Sequence, residues 1–185
     1  MITDEQLRQI MPSSTQANRN KYLMYFNLYL NRYEINTPLR IAAFMAQIGH
    51  ESGSLRYVKE LAGGEAYTNM AKLGNARSEA VEIAKSKNMK TGPFYKGRGL
   101  IQITGYDNYL DMGKRLELDL THNPDLLGVP QYAVQSACQW WESHGLNELA
   151  DKGDFRQITK VINGGYNHLA EREAIYARAK KVLCG

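Results

Sequence analysis

The sequence predicts a mainly α-helical fold with at most a short hairpin. Apolar residues recur at three- and four-residue spacing through most of the chain, helix start and stop signals punctuate those stretches, and no long alternating β-run occurs. With 185 residues, 43% of them hydrophobic, the chain can bury one real core but not two comfortable ones. A single domain over 1–185 is expected, with a large lobe at 1–62 and 94–185 and a small inserted lobe at 63–93.

The elements follow in order. Thr3 and Gln6 have the spacing of a capping box and open a short first helix, which Pro12-Ser13-Ser14 ends. Tyr22, Phe26, Tyr29, Leu30 and Tyr33 give a second helix an aromatic face suited to core packing. Thr37-Pro38 is an N-cap with proline at the first helical position. The helix it starts is apolar almost all round and therefore buried. Its polar exceptions are Arg40, Gln47, His50 and Glu51, the last three on one stripe. Ser52-Gly53-Ser54 stops it. Residues 76–88 read as an exposed helix and Thr91-Gly92-Pro93 as a loop. Leu100, Gln102 and Thr104, alternating with Ile101 and Ile103, read as a short strand. Later helices follow at 106–116, 130–144, 155–162 and 170–183, with turns at Asn123-Pro124-Asp125 and Asn163-Gly164-Gly165.

Composition narrows the function classes. The N-terminal Met1-Ile2-Thr3-Asp4-Glu5 has acids and no apolar run, so no signal peptide is expected, and no stretch reaches the length of a membrane span. Synthesis in the cytoplasm without stable membrane insertion follows as an expectation, with any journey outside needing another factor. The net charge of +4 suits an anionic polymer, cell wall or nucleic acid, and is equally an ordinary solubility feature. Cys138 and Cys184 lack CxxC spacing and read as buried free thiols. His50, His122, His144 and His168 have no metal-ligand spacing, so neither metal nor cofactor is expected. GxSxG-type nucleophile motifs are absent.

Glu51 is the residue most suited to chemistry. It sits on the last turn of a buried helix, where the helix dipole and burial both disfavour a negative charge. That is the environment a general acid needs. Glycosidic hydrolysis wants a second carboxylate. Glu60 follows nine residues later. In one continuous helix it would lie about 13 Å from Glu51 and on the opposite face; the Ser52-Gly53-Ser54 break lets the chain turn back. Glu65 competes for the same role. Gly97-Arg98-Gly99 lacks the spacing of a phosphate loop. Trp140 and Trp141 read as core rather than as a sugar platform.

Taken together, Ala46 to Gly53, Tyr95 to Thr104, Asn123 to Leu126, Trp140-Trp141 and Ile162 to Gly165 resemble glycoside hydrolase family nineteen, in the family's order. Gly145 to Asp151 and the compact length are similar to its bacterial and phage branch. The resemblance implies a lysozyme-like α+β fold with a cleft between a large helical lobe and a small inserted one. It implies metal-free, inverting hydrolysis with Glu51 as general acid and Glu60 as general base. Thr104 matches a position that holds the attacking water. Gln102, Asn108 and Asn163 match sugar-contacting positions; His50 and Tyr95, in the matched segments, are further substrate-binding candidates. Ala62-Gly63-Gly64 departs from the Asn-Tyr of many bacterial relatives, which keeps Glu65 in contention. The implied activity is an endolysin-type glycosidase on the glycan strands of peptidoglycan, acting as a monomer on the wall after release. The alternatives are a chitinase and a catalytically inactive wall-binding module. A nucleic-acid partner rests on charge alone and is not expected.

Overall fold

The computed structural model describes residues 1–185. It is almost wholly helical, with isolated bridges at Lys59–Arg98 and Arg98–Ile103 in place of strands. No helix is long and apolar enough to cross a membrane. The chain divides into two compact units: Met1–Arg56 with Ala137–Gly185, and Tyr57–Ser136.

The first unit is built around α3 (Pro38–Glu51). Thr37 Oγ1 accepts from Arg40 N, and every residue from Ala42 to Gly49 is buried. Burying a side chain the size of Phe44 contributes about 1.5–3 kcal/mol, so this helix outweighs any surface feature of the unit. Trp141 meets Phe44 edge to face and donates its indole N–H to Asn147, which makes it a core residue as expected. The helix α10 (Leu169–Cys184) packs along α3, and α1 (Asp4–Ile10) packs on α10. The capping box of Thr3 and Gln6 is formed. In α2 (Gln16–Tyr29), Tyr22, Phe26 and Tyr29 point into the core, as their spacing requires. The helix α7 (Pro130–Ser143) ends in this unit, followed by α8 (Leu146–Asp151), which the sequence reading missed, and α9 (Phe155–Asn163). Cys138 is buried but Cys184 is exposed, contrary to expectation; both are free thiols.

After α3 the chain reverses sharply. Gly53, Ser54 and Leu55 are all left-handed, with φ of 57°, 61° and 68°. Each non-glycine residue there costs about 1–2 kcal/mol. Three features offset this: Ser54 N donates to Gly49 O, Leu55 N donates to Ser52 Oγ, and Leu55 is only 1% exposed.

The second unit holds α4 (Ser78–Ser86), α5 (Thr91–Phe94), α6 (Tyr106–Leu116), the start of α7 and three 3-10 turns. It is wider than the lobe expected at 63–93. Glu60 N donates to Gly97 O and Gly99 N to Val58 O, so segments on both sides of that lobe are stitched into one body. Thr91-Gly92-Pro93, expected as a loop, begins the single turn α5.

Residues 100–104 are not a strand. Gly99 and Gln102 have φ of +82° and +61°, and Arg98 and Ile103 exchange backbone hydrogen bonds. The segment is a tight hairpin loop whose alternation reports which residues of a turn are buried: Leu100, Ile101 and Ile103. Arg98, 3% exposed, is its hub. It donates to Asp125 Oδ1, Phe94 O, Lys96 O and the Tyr109 hydroxyl. Gly99 beside it, at φ +82°, makes the turn.

Candidate active site

Each unit holds one of the two glutamates expected to do chemistry. In the first, Glu51 lies at the C-terminal end of α3 with its side chain 20% exposed. It does not stand alone against an apolar wall. Arg172 Nη2 of α10 lies 2.7 Å from Glu51 Oε1. Arg172 is 1% exposed and donates also to Gln47 Oε1 at 2.6 Å and to Asn167 O. Gln47 in turn donates to Thr159 Oγ1, which donates to Phe155 O. The stripe of Gln47, His50 and Glu51 therefore exists as expected, but Gln47 is a buried strut for Arg172. A fixed, fully satisfied cation orients Glu51 and limits its motion. Arg172 escaped the sequence reading because 121 positions separate it from Glu51 and nothing in α10's own pattern marks it.

His50, the other member of the stripe, is half-buried beside His168 and Glu171. Burial, and then the neighbouring Arg172, hold its imidazole below the ordinary range, while Glu51 and Glu171 oppose them. Asn163, expected to meet a sugar, ends α9; its Oδ1 accepts from Asn167 N, and Gly164 makes the left-handed cap.

The second unit gathers three expected residues around one glycine. Glu60 Oε2 accepts from Gly97 N at 3.0 Å, and Glu60 Oε1 from the Tyr67 hydroxyl at 2.9 Å. A Cβ on Gly97 would stand 2.6 Å from Gln102 Oε1, 3.2 Å from Thr104 Oγ1 and 3.3 Å from Glu60 Oε2. Glycine is thus the residue that lets these groups converge. Thr104 Oγ1 donates to Gln102 O, and Gln102 Nε2 to Gly99 O. Gln102 is a non-glycine residue in a left-handed conformation, the kind of local strain that recurs where a side chain must be aimed. Asn108, exposed on the first turn of α6, donates to Thr104 O.

Tyr67 is the residue missed here. Burial, and then the carboxylate it donates to, push its phenol above the ordinary value, so it stays a donor to Glu60. It lies in a weakly patterned stretch, and only the fold brings it to Glu60. Glu65 stays exposed, its carboxylate folded over Gly63, outside the Glu60–Gln102–Thr104 group. Tyr95 is a correction. It is fully buried among Phe94, Tyr106 and Tyr109 and donates to Thr121 O at 2.7 Å, so its hydroxyl is committed and no ligand reaches it.

One glutamate is thus held by a buried arginine, and another by a tyrosine and a backbone amide. A family model described as chitinase class I matches residues 33–150. The chain belongs to glycoside hydrolase family 19. A family 19 domain-containing protein of Haemophilus influenzae is 31% identical over 155 residues, covering 73% of this chain and 76% of that protein. An Arabidopsis thaliana endochitinase is 35% identical over 144 residues, covering 77% of this chain and 45% of its own. The chain thus spans about half the length of that plant relative. Among solved structures, a bacterial family 19 chitinase has a TM-score of 0.73 at 22% identity, covering 98% of this chain and 94% of its own. A class IV chitinase from Zea mays has a TM-score of 0.71 at 22% identity, covering 99% and 92%. The fold is the lysozyme-like helical fold of this family, and the protein is a chitinase-like glycosidase.

Proposed function

We propose that this glycosidase cuts the glycan strands of bacterial peptidoglycan, as an endolysin-type enzyme. Glu51 protonates the leaving oxygen. Glu60 takes a proton from the attacking water, and Thr104 helps hold that water. The observation that carries the roles is the convergence of Glu60, Gln102 and Thr104 on Gly97, in the unit that does not hold Glu51. Tyr67 and Gly97 N fix the Glu60 carboxylate so that an unshared lone pair remains for water. Gln102, Asn108 and Asn163 contact the N-acetylated sugars. Neither carboxylate role calls for a metal or a cofactor. The net charge of +4 supports an anionic wall polymer as substrate.

Chitin is the second reading, favoured by the chitinases among the relatives. Mass spectrometry of fragments released from purified peptidoglycan and from chitin decides between them. Muropeptides from the wall, with reducing-end muramic acid or glucosamine naming the bond, support the proposal. Oligosaccharides from chitin alone overturn it.

A further inference from the structure

Three side chains meet where the last turn of α3 approaches the start of α10. His50 Nδ1 lies 3.5 Å from Glu171 Oε2. His168 Nδ1 lies 3.6 Å from the same oxygen. One ligand atom from each of the three can be chosen so that all lie within 4.8 Å of one another. These separations are too long for good hydrogen bonds. They match another geometry. Tetrahedral bonds of about 2.0–2.2 Å place neighbouring ligands roughly 3.3–3.6 Å apart. Two edges of such a set are already close to that length. The third edge joins the two imidazoles, and the His168 side chain, 62% exposed, has room to turn toward it.

We infer that His50, His168 and Glu171 form a binding site for a transition-metal dication such as Zn²⁺, with water completing its shell. Two imidazoles and one carboxylate select zinc, nickel or copper over calcium and magnesium, which require oxygen ligands. The charge balance permits it. Arg172 is a cation whose charge acts on His50, and its guanidinium is engaged by Glu51, Gln47 and Asn167 O. With Arg172 offset by Glu51, the Glu171 carboxylate is left to face the ion. The N-terminal dipole of α10 opposes a cation, but as a solvent-screened partial charge it is weaker than three direct ligands. Glu171 and His168 are exposed, so the ion has an entry path. The bound ion ties the end of α3 to the start of α10. The site is separate from the acid–base roles proposed above and does not depend on them.

The test uses the full chain, stripped with EDTA and desalted. Zinc chloride titrated calorimetrically should bind at one equivalent, and magnesium chloride should give no binding. His168→Ala and Glu171→Ala, both at surface positions, should keep the circular dichroism of the parent and weaken zinc binding by about tenfold or more. Cys184→Ser and His144→Ala, which remove other exposed ligands, should leave it unchanged. Zinc at about a hundredfold excess over Kd should raise the Tm of the parent by on the order of 5 °C and leave that of Glu171→Ala unmoved. No zinc binding, unchanged affinity in His168→Ala, or loss of binding in Cys184→Ser would each overturn the site.

Discussion

At the scale of single residues, the two glutamates are held by different means, and this separates their variants. In Glu51→Gln the amide oxygen still accepts from Arg172, so the fold should survive. The transferable proton is gone, and the rate on glycan should fall by about 10²–10⁴-fold. Normal activity in a variant with parental Tm would remove Glu51 from the mechanism. Glu60→Gln should be as damaging, whereas Glu65→Gln should be nearly silent, because Glu65 lies exposed outside the Glu60 cluster. A dead Glu65 variant beside an active Glu60 variant would reverse the assignment. Glu51 was legible in the sequence because a carboxylate is conspicuous at the end of an apolar helix. Its partner Arg172 was not, since pairing across 121 positions is decided by how α10 docks on α3 and not by local pattern. Tyr67, seven positions from Glu60, was hidden because it lies in a weakly patterned stretch.

At the scale of elements, the capping box of α1, the aromatic face of α2 and the Thr37-Pro38 start of α3 could be read directly, because their signals lie within a few residues. The 98–104 segment was misread because alternating burial in a tight turn imitates a strand; Gly99 was the visible hint, and the left-handed Gln102 had none. Tyr95 was misread because it sits inside a functional motif while serving the core beneath it. This reassignment has a measurable consequence. Tyr95→Phe removes the hydrogen bond to Thr121 O and leaves that carbonyl unpaired, at a cost of about 1–2 kcal/mol. Activity on glycan should persist. Burial pushes the phenol well above its ordinary value in the folded state. An unfolded tyrosine ionises near pH 10, so the neutral, buried form contributes its full stability below that pH. The contribution is lost as pH rises above about 10 toward the folded value. Chemical denaturation between pH 8 and 11 should therefore show a shallower alkaline decline in Tyr95→Phe than in the parent. The buried Tyr109, shifted the same way, remains in both. An identical decline would mean that Tyr95 ionises as readily folded as unfolded.

At the scale of the whole molecule, the proposed acid and base belong to different units, joined in sequence by the left-handed run after α3. Whether they serve one reaction is a question about energetic coupling, and a double-mutant cycle answers it. If Glu51 and Glu60 act in a single step, either substitution already forfeits that step. Glu51→Gln combined with Glu60→Gln should then lose little more than the worse single variant. Independent roles would multiply the two losses. Stereochemistry gives a second reading of the same pairing. In an inverting enzyme the base activates water on the face opposite the leaving group; in a retaining enzyme the second carboxylate attacks the sugar itself. Glu60 accepts one hydrogen bond on each oxygen, from Tyr67 and Gly97 N, and each oxygen keeps a lone pair for a water proton. The first product from a soluble β-linked glycan should accordingly be the α anomer, followed by NMR before mutarotation. An initial β anomer would make Glu60 a nucleophile and would end the water-holding role given to Thr104. Multiplicative losses in the double variant, with an α product, would keep inversion but require a base other than Glu60.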